Sequence, residues 1–459
     1  MATIIQPYLF SWKEIEADSD LNRLLLVLSA LPDEDFIILL ERRRGRGRND
    51  YPIRPTWNAM LAGIVLQHPS AAALLRELRR NGQLRDVCGF DPALGAGAVP
   101  SDDAFGRFLA LVMEHLDDLL DIFHRLVEAL DAKLPELGKK LAVDSKPIRS
   151  WGRPVRDEHK KQQHDRRRDS DADWGTKTRK RERKDGTQWE KITKWFGYKL
   201  QMVVDSEYEL PLAFDVTRAS CADVEQLMPL VEQLARQHPD LVEGAEELSA
   251  DKGYDSTTNN TRLYDDYDIK PVIDKRRMWK EDYCGEASRT RVLFDDRVDS
   301  FVYDEQGQLF CVCPHTRQRR EMFFCGYEAD RRTLKYRCPA AACGIECKGR
   351  DACEARASVG GFGRVVRVRL DKDRRVFTPI ARHTAKWAKA YARRTAVERV
   401  NSRLDCVLGF ERHTIRGMQK MKTRVTLALC VMLSMALGRI EADQADMMRS
   451  LTAPVGRAA

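Results

Sequence analysis

The chain has 459 residues, enough for about three domains of ordinary size or one large fold carrying insertions, so a single small module is excluded. Hydrophobic residues make up 43% and charged residues 32%, which allows a sizeable core under a heavily charged surface and excludes a wholly disordered chain. The net charge of +8 is concentrated: residues 146–199 hold 18 Lys/Arg against 9 Asp/Glu, and residues 381–440 hold 13 against 3, so a polyanionic partner is expected rather than two idle solvated faces.

From the N-terminus, Met1 to Trp12 lacks the basic start, apolar stretch and small-residue cleavage site of a secretory signal, so a cytoplasmic location is expected. Residues 1–130 read as a helical domain. Apolar positions recur at helical spacing over Leu21–Leu31, Phe36–Leu40, Trp57–Gln67 and Ala71–Leu84. Ser101 with Asp102 and Asp103 is a good N-terminal cap for a long helix whose Phe105, Phe108, Leu109, Val112 and Leu116 form one stripe. The Gly/Pro/Ala-rich stretch Gly89–Pro100 reads as the loop before it.

Strand composition begins at Leu141–Val143, which ends in Asp144 and is stopped by Pro147. A basic stretch of about fifty residues, nearly without aliphatics, follows and reads as a mobile loop, a DNA-contact candidate because Trp151, Trp174, Trp189 and Trp195 punctuate it. Phe196–Val204 and Leu210–Thr217 then make a hairpin about a turn at Asp205–Glu209. Ser220 and Asp223 resemble a capping box before a helix through Leu227, Leu230, Val231 and Leu234. Leu248–Asp251 and Tyr267–Ile273 are further strands, giving an α/β core with a mixed sheet over residues 131–275.

Residues 276–378 lose that rhythm, and seven of the twelve cysteines fall between Cys311 and Cys353, which reads as a Cys-rich insertion. Cys338, Cys343, Cys347 and Cys353 approach zinc-ribbon spacing, although their separations are irregular, so structural Zn²⁺ and unligated thiols both stay open. The core resumes over 379–440, with Tyr391–Leu408 as one helix and Met418–Ile440 as another. The run Val425–Leu437 is too short to cross a bilayer and reads as a buried helix; no membrane partner is expected. Residues 441–459 read as a loose tail.

Asp144 and Asp251 both terminate short apolar strands, and neighbouring strand ends in open α/β sheets face one ligand-binding edge. Glu398, with Arg394 four positions before it and Tyr391 seven before it, would share one helical face. Taken singly, a strand-end aspartate is most often a turn or cap residue. Converging, three carboxylates would repel one another unless cations neutralise them, and hard oxygen ligands select Mg²⁺ or Mn²⁺.

The segments Val143-Asp144-Ser145, Ser249-Ala250-Asp251-Lys252-Gly253-Tyr254-Asp255 and Tyr391-Ala392-Arg393-Arg394-Thr395-Ala396-Val397-Glu398-Arg399 occur in this order. Together with Phe196-Gly197-Tyr198-Lys199-Leu200 and Phe410–Gly417 they resemble bacterial insertion-sequence DDE transposases with a ribonuclease-H-like core and a Tyr-x-x-Arg-x-x-x-Glu helix. The stretch Arg54–Phe108 resembles that group's helical leader, which implies that the domain over residues 1–130 binds DNA ends. The resemblance implies cleavage of DNA at element ends and transfer of the freed 3′ hydroxyls to target DNA, by a homo-oligomeric complex acting on terminal inverted repeats. It implies two Mg²⁺ ions about 4 Å apart held by Asp144, Asp251 and Glu398. It further implies that Arg394 and Tyr391 handle the DNA backbone, with Lys199 a weaker phosphate candidate. One departure stands out: the family helix commonly carries Lys seven positions after the Glu, where this chain has Asp405, so Arg403 or Arg412 would have to supply that contact. Asp405 is also what favours the alternative, a catalytically inactive transposase-derived DNA-binding protein.

Overall fold

Capping side chains and the apolar stripe set the helix bounds at the N-terminal end. The computed structural model describes residues 19–45, 50–154, 168–182, 188–276, 290–294, 301–313, 316–346 and 363–453. Seven α-helices open the described chain: α1 (Ser19–Ala30), α2 (Glu34–Arg44), α3 (Ile53–Val65), α4 (Ala71–Arg80), α5 (Gly82–Cys88), α6 (Asp102–Glu114) and α7 (Leu116–Asp131). Ser101 caps α6 by accepting from the Ala104 amide at 3.2 Å. Two helices read as continuous are broken. The Asn81 side chain accepts from the Leu84 amide and starts α5 separately from α4. His115, outside helical geometry, separates α6 from α7, so Leu116 leaves the stripe of Phe105, Phe108 and Val112. The Gly89–Pro100 connection is mostly a 3₁₀ turn, Pro92–Ala98.

The strands that follow are β1 (Lys140–Arg149), β2 (Asp173–Glu182), β3 (Gln188–Asp205) and β4 (Pro211–Arg218). Pro147 does not stop β1, which runs through it to Arg149 with the proline exposed. The expected basic loop is corrected where it is described; residues 155–167 and 183–187 lie outside the described residues. From Asp173 onward its described parts are β2 and the first part of β3, paired antiparallel from Asp173↔Gly197 to Glu182↔Gln188. Backbone pairing of aromatic and β-branched positions, Trp174, Thr176, Thr178, Trp189, Ile192 and Thr193, carries this hairpin where aliphatics are lacking. Beyond it lie α8 (Asp223–Gln237), α9 (Pro239–Glu243), β5 (Glu247–Ala250), α10 (Thr257–Tyr267) and β6 (Lys270–Ile273). The capping box at Ser220 is not made: Ser220 Oγ donates to Asp173, and α8 starts after Ala222 with no side-chain cap.

Residues 290–369 build two antiparallel sheets. One is β7 (Thr290–Val292), β8 (Phe301–Asp304), β9 (Leu309–Val312) and β10 (Arg319–Glu321), the other β11 (Phe323–Glu328), β12 (Thr333–Arg337) and β13 (Val365–Arg369). The short α11 (Pro339–Cys343) lies between β12 and β13. The chain finishes with α12 (Ala385–Ala392), α13 (Thr395–Cys406) and α14 (Met418–Glu441). The single helix expected over Tyr391–Leu408 is therefore two, interrupted at Arg393 and Arg394.

The elements divide into two compact units. The first comprises residues 1–137, 145–221 and 397–459. In it β3 lies between β2 and β1, with β4 also paired to β3. Gly197 is required where β3 meets β1, because a Cβ there would stand 2.1 Å from the Ile148 carbonyl oxygen. The helix α14 is apolar on all sides and is enclosed by α7, α1, α3, α6 and β4. Among the described residues it alone is long and apolar enough to cross a membrane, and 89% of its apolar window is buried in the protein, as a core helix requires. Residues after Glu441 are not loose as far as they are described: Leu451 is buried and its carbonyl accepts from Arg23 at 2.6 Å.

The second unit comprises residues 138–144 and 222–396. Here the first half of β1 runs parallel to β5 in the register Lys140↔Glu247 to Val143↔Ala250, and β5 runs parallel to β6. The sheet is thus mixed: antiparallel about β3, parallel about β5. A core including Tyr264, Tyr303, Leu309, Leu334, Tyr336 and Phe377 underlies the two small sheets.

Candidate active site

Parallel pairing of β1 and β5 decides where the two aspartates stand. Asp144 and Asp251 each follow the last paired residue of their strand, Val143 and Ala250, so they occupy matching positions on neighbouring strands. Both are partly buried. The Asp251 carboxylate caps the turn after β5, accepting from the Gly253 amide at 2.6 Å. A side chain at Gly253 would meet Asp251 Oδ1 at 2.7 Å and Asp223 Oδ2 at 3.6 Å, so a third acid, Asp223 at the start of α8, borders the same turn. The turn is braced from below. Arg276 donates to the carbonyls of Lys252 and Gly253, and its amide donates to Asp255 at 2.9 Å. Asp255 itself is fully buried and held by the guanidinium of Arg375. Sequence reasoning misses Asp223, Asp255 and Arg375. Asp255 closes the Ser249–Asp255 segment, but nothing local points to a partner 120 positions away.

Arg394, in the turn between α12 and α13, places Nη1 3.7 Å from Asp144 Oδ2, with both side chains largely buried. Tyr391 stacks on Trp387 one turn earlier, ring centroids 4.9 Å apart and planes 8° from parallel, while Arg394 lies over the Tyr391 ring at 5.8 Å. Burial pushes the Tyr391 hydroxyl above its ordinary range; the negative charges of Asp274 and Asp251 add to this and Arg394 opposes it. Tyr391, Arg394, Asp144 and Asp251 therefore belong to one charged region of the second unit. The shared helical face expected for Tyr391, Arg394 and Glu398 is corrected, since the break at Arg394 puts Tyr391 on α12 and Glu398 on α13.

Glu398 belongs to the first unit and is exposed in the first turn of α13. Arg399 and Arg403 on that helix both reach Glu209, at 2.6 and 3.2 Å, and Arg403 also donates to the Glu209 carbonyl at 2.7 Å. Arg403 is thus engaged within the protein, whereas Arg412 is exposed. Lys199 Nζ donates to the Cys221 carbonyl at 2.7 Å. Asp405 pairs with Lys146 at 2.5 Å, and Lys146 also reaches Glu411 at 3.1 Å.

Among the described residues, no three His, Cys, Asp or Glu side chains stand together as a metal site. The donor chemistry of Asp144, Asp251 and Asp223 is nonetheless all hard carboxylate oxygen, which suits Mg²⁺ or Mn²⁺. Of the expected zinc set, Cys338 immediately precedes α11 without a side-chain cap and Cys343 is exposed, while Cys347 and Cys353 lie outside the described residues.

A family model described as a transposase DDE domain matches residues 136–434, about two thirds of the chain and the whole span from β1 into α14. The chain belongs to the insertion-sequence DDE transposases. No curated protein matches the transposase. The matched span contains Asp144, Asp251 and Glu398, and this family membership assigns the protein to DNA transposition.

Proposed function

We propose that this transposase cleaves the ends of its element and joins the freed 3′ hydroxyls to target DNA, on a ribonuclease-H-like core, with Asp144, Asp251 and Glu398 as the catalytic carboxylates. The observation that carries the reading is the matched placement of Asp144 and Asp251 just past paired positions of adjacent parallel strands, inside the family span. These carboxylates would hold Mg²⁺ or Mn²⁺, which when bound acidifies the attacking water or hydroxyl and takes up charge on the leaving oxygen. Arg394 orients the Asp144 carboxylate and balances its charge until the ions arrive. Tyr391, kept protonated by burial and neighbouring acids, offers a hydroxyl donor to a phosphate oxygen. Arg412, exposed after α13, is the contact that stands in for the family lysine, with Arg403 behind it. Lys199, which also donates to the Cys221 carbonyl, is a weaker phosphate contact, and paired ends call for a homo-oligomer in the active complex.

End cleavage with Mg²⁺ tests this, comparing the unaltered protein with Asp251→Ala. The variant should bind the same duplex in a gel-shift assay and cleave it at least ~10³-fold more slowly, about 4 kcal/mol of transition-state stabilisation. Equal cleavage rates would end the reading. No cleavage by the unaltered protein, with binding intact, would favour the inactive DNA-binding alternative.

A further inference from the structure

In the β2–β3 hairpin, Thr176, Lys177 and Thr178 of β2 and Trp189 to Lys194 of β3 are exposed on both faces and carry more apolar and basic surface than an idle ribbon needs. Its ten paired positions extend about 33 Å at ordinary strand rise, and among the described residues β2 pairs with β3 alone. Opposed residues of an antiparallel pair share a face and successive residues alternate. The register therefore puts Lys177, Lys191, Thr193 and Trp189 on one face, and Thr178, Ile192, Lys194 and Glu190 on the other. Of the described charges on the first face, Lys177 and Lys191 stand toward the turn, while Asp173 at the base accepts from Ser220, and Trp189, one row beyond Lys191, is 39% exposed. Lysines alone would be ordinary protection of an edge strand against pairing. A large exposed indole beside them is not protective, and a two-stranded ribbon with no covering layer is marginal in water. Such a surface is explained by a partner that covers it.

We infer that this ribbon lies in the major groove of duplex DNA, with the Lys177–Lys191–Trp189 face turned to the duplex. The inference rests on the transposase reading for its partner and adds the element and face that engage it. The major groove is about 12 Å wide and admits a two-stranded ribbon. The ribbon is about as long as one turn of duplex. Its two lysines on opposed strands reach phosphates on either wall, while the indole meets base edges. On the opposite face the charge of Lys194 is offset by that of Glu190, with Ile192 between them, which suits solvent or protein rather than phosphate.

The test uses the full-length protein and a short mixed-sequence duplex, with binding measured against salt. The double variant Lys177→Ala/Lys191→Ala should bind more weakly and flatten the plot of log affinity against log salt by about 1.8, close to 0.9 for each phosphate no longer neutralised. Ile192→Thr on the other face should leave that slope unchanged, and both variants should keep the unaltered unfolding midpoint. Guanine N7 methylation, which reports the major groove, should be suppressed by the unaltered protein and restored in the lysine variant. An unchanged slope in the lysine variant would overturn the inference. So would unsuppressed N7 methylation, or tighter binding to the single strand than to the duplex. If binding and Asp251-dependent cleavage persist through such a result, the transposase reading stands and the ribbon assignment alone is lost; if the unaltered protein binds no DNA, both fall.

Discussion

His413 is 8% exposed, and its Nδ1 accepts from the Ile415 amide at 3.1 Å. Burial first, and then the charge of Arg424, lower its pKa to about 4, with Glu411 opposing. In the unfolded chain the imidazole takes up a proton near pH 6.5, well before the folded one does. The stabilisation is therefore complete above pH 6.5 and is lost as pH falls toward 4. The asparagine variant His413→Asn keeps an acceptor near the same place and removes the titration. Denaturant unfolding should show that the stability lost between pH 7 and pH 4.5 is smaller in the variant by about 2–3 kcal/mol. An unaltered loss would mean that the imidazole is not held neutral. At this scale the sequence is informative about which residue types matter and silent about partners. His413 belongs to the Phe410–Gly417 segment that resembles the family, yet its role here is a buried neutral acceptor. The Asp255–Arg375 pair is invisible in one dimension because nothing but folding brings its members together.

Two elements, β1 and α13, are joined inside the first unit by Lys146 and Asp405, and this pair changes the meaning of the departure from the family pattern. Asp405 sits where the family commonly has Lys, and the cation it needs comes from Lys146, whose side chain is only 7% exposed. Burial raises the Asp405 carboxyl while the Lys146 ammonium lowers it, with burial prevailing. An acid so placed is a structural partner, which removes the ground for reading Asp405 as a mark of lost activity. Removing Lys146 strips the partly buried Asp405 of its cation, whereas removing Asp405 leaves Lys146 its second partner, Glu411. Lys146→Met should cost about 3 kcal/mol, Asp405→Leu less, and the double variant clearly less than their sum. Urea unfolding of the four proteins gives the coupling directly, and additive losses would show that the pair carries none. Elements as such are readable from periodicity wherever an apolar stripe exists, as in α3, α6 and α14. Periodicity misleads where a side chain cuts the pattern, at Asn81, His115 and Arg394, and where charge hides pairing, in the β2–β3 hairpin. Asp144 and Asp251 are legible because apolar strands point at them; Asp223 is not, because an acid in a first helical turn looks like an ordinary dipole partner.

Over the whole molecule the chain passes between the two units four times, after Leu137, Asp144, Cys221 and Ala396. Segments that follow one another in sequence therefore do not map onto the units, and the first unit is completed only when its last segment returns. That return includes the tail. Arg439 is fully buried on α14 and donates to Gln444 Oε1 at 3.1 Å and to the Ala453 carbonyl. Arg23, 8% exposed, donates to the Leu451 carbonyl, and the Arg449 carbonyl accepts from Arg403 on the helix that bears Glu398. A chain ending at Glu441 would keep every residue matched in the family span, yet take both acceptors from the buried Arg439 and the Leu451 carbonyl from Arg23, which keeps its pair with Asp20. The expected cost is about 3 kcal/mol or more, since an uncompensated buried cation is worse than an absent one. The substitutions Arg23→Met and Arg439→Met, made in the truncated chain, should therefore restore part of its unfolding midpoint, whereas in the full chain they should lower it. If they restore nothing, the destabilisation comes from uncovering the apolar surface beneath Leu451 rather than from the arginines. The tail then acts as a lid on α14, not as the partner that neutralises its end.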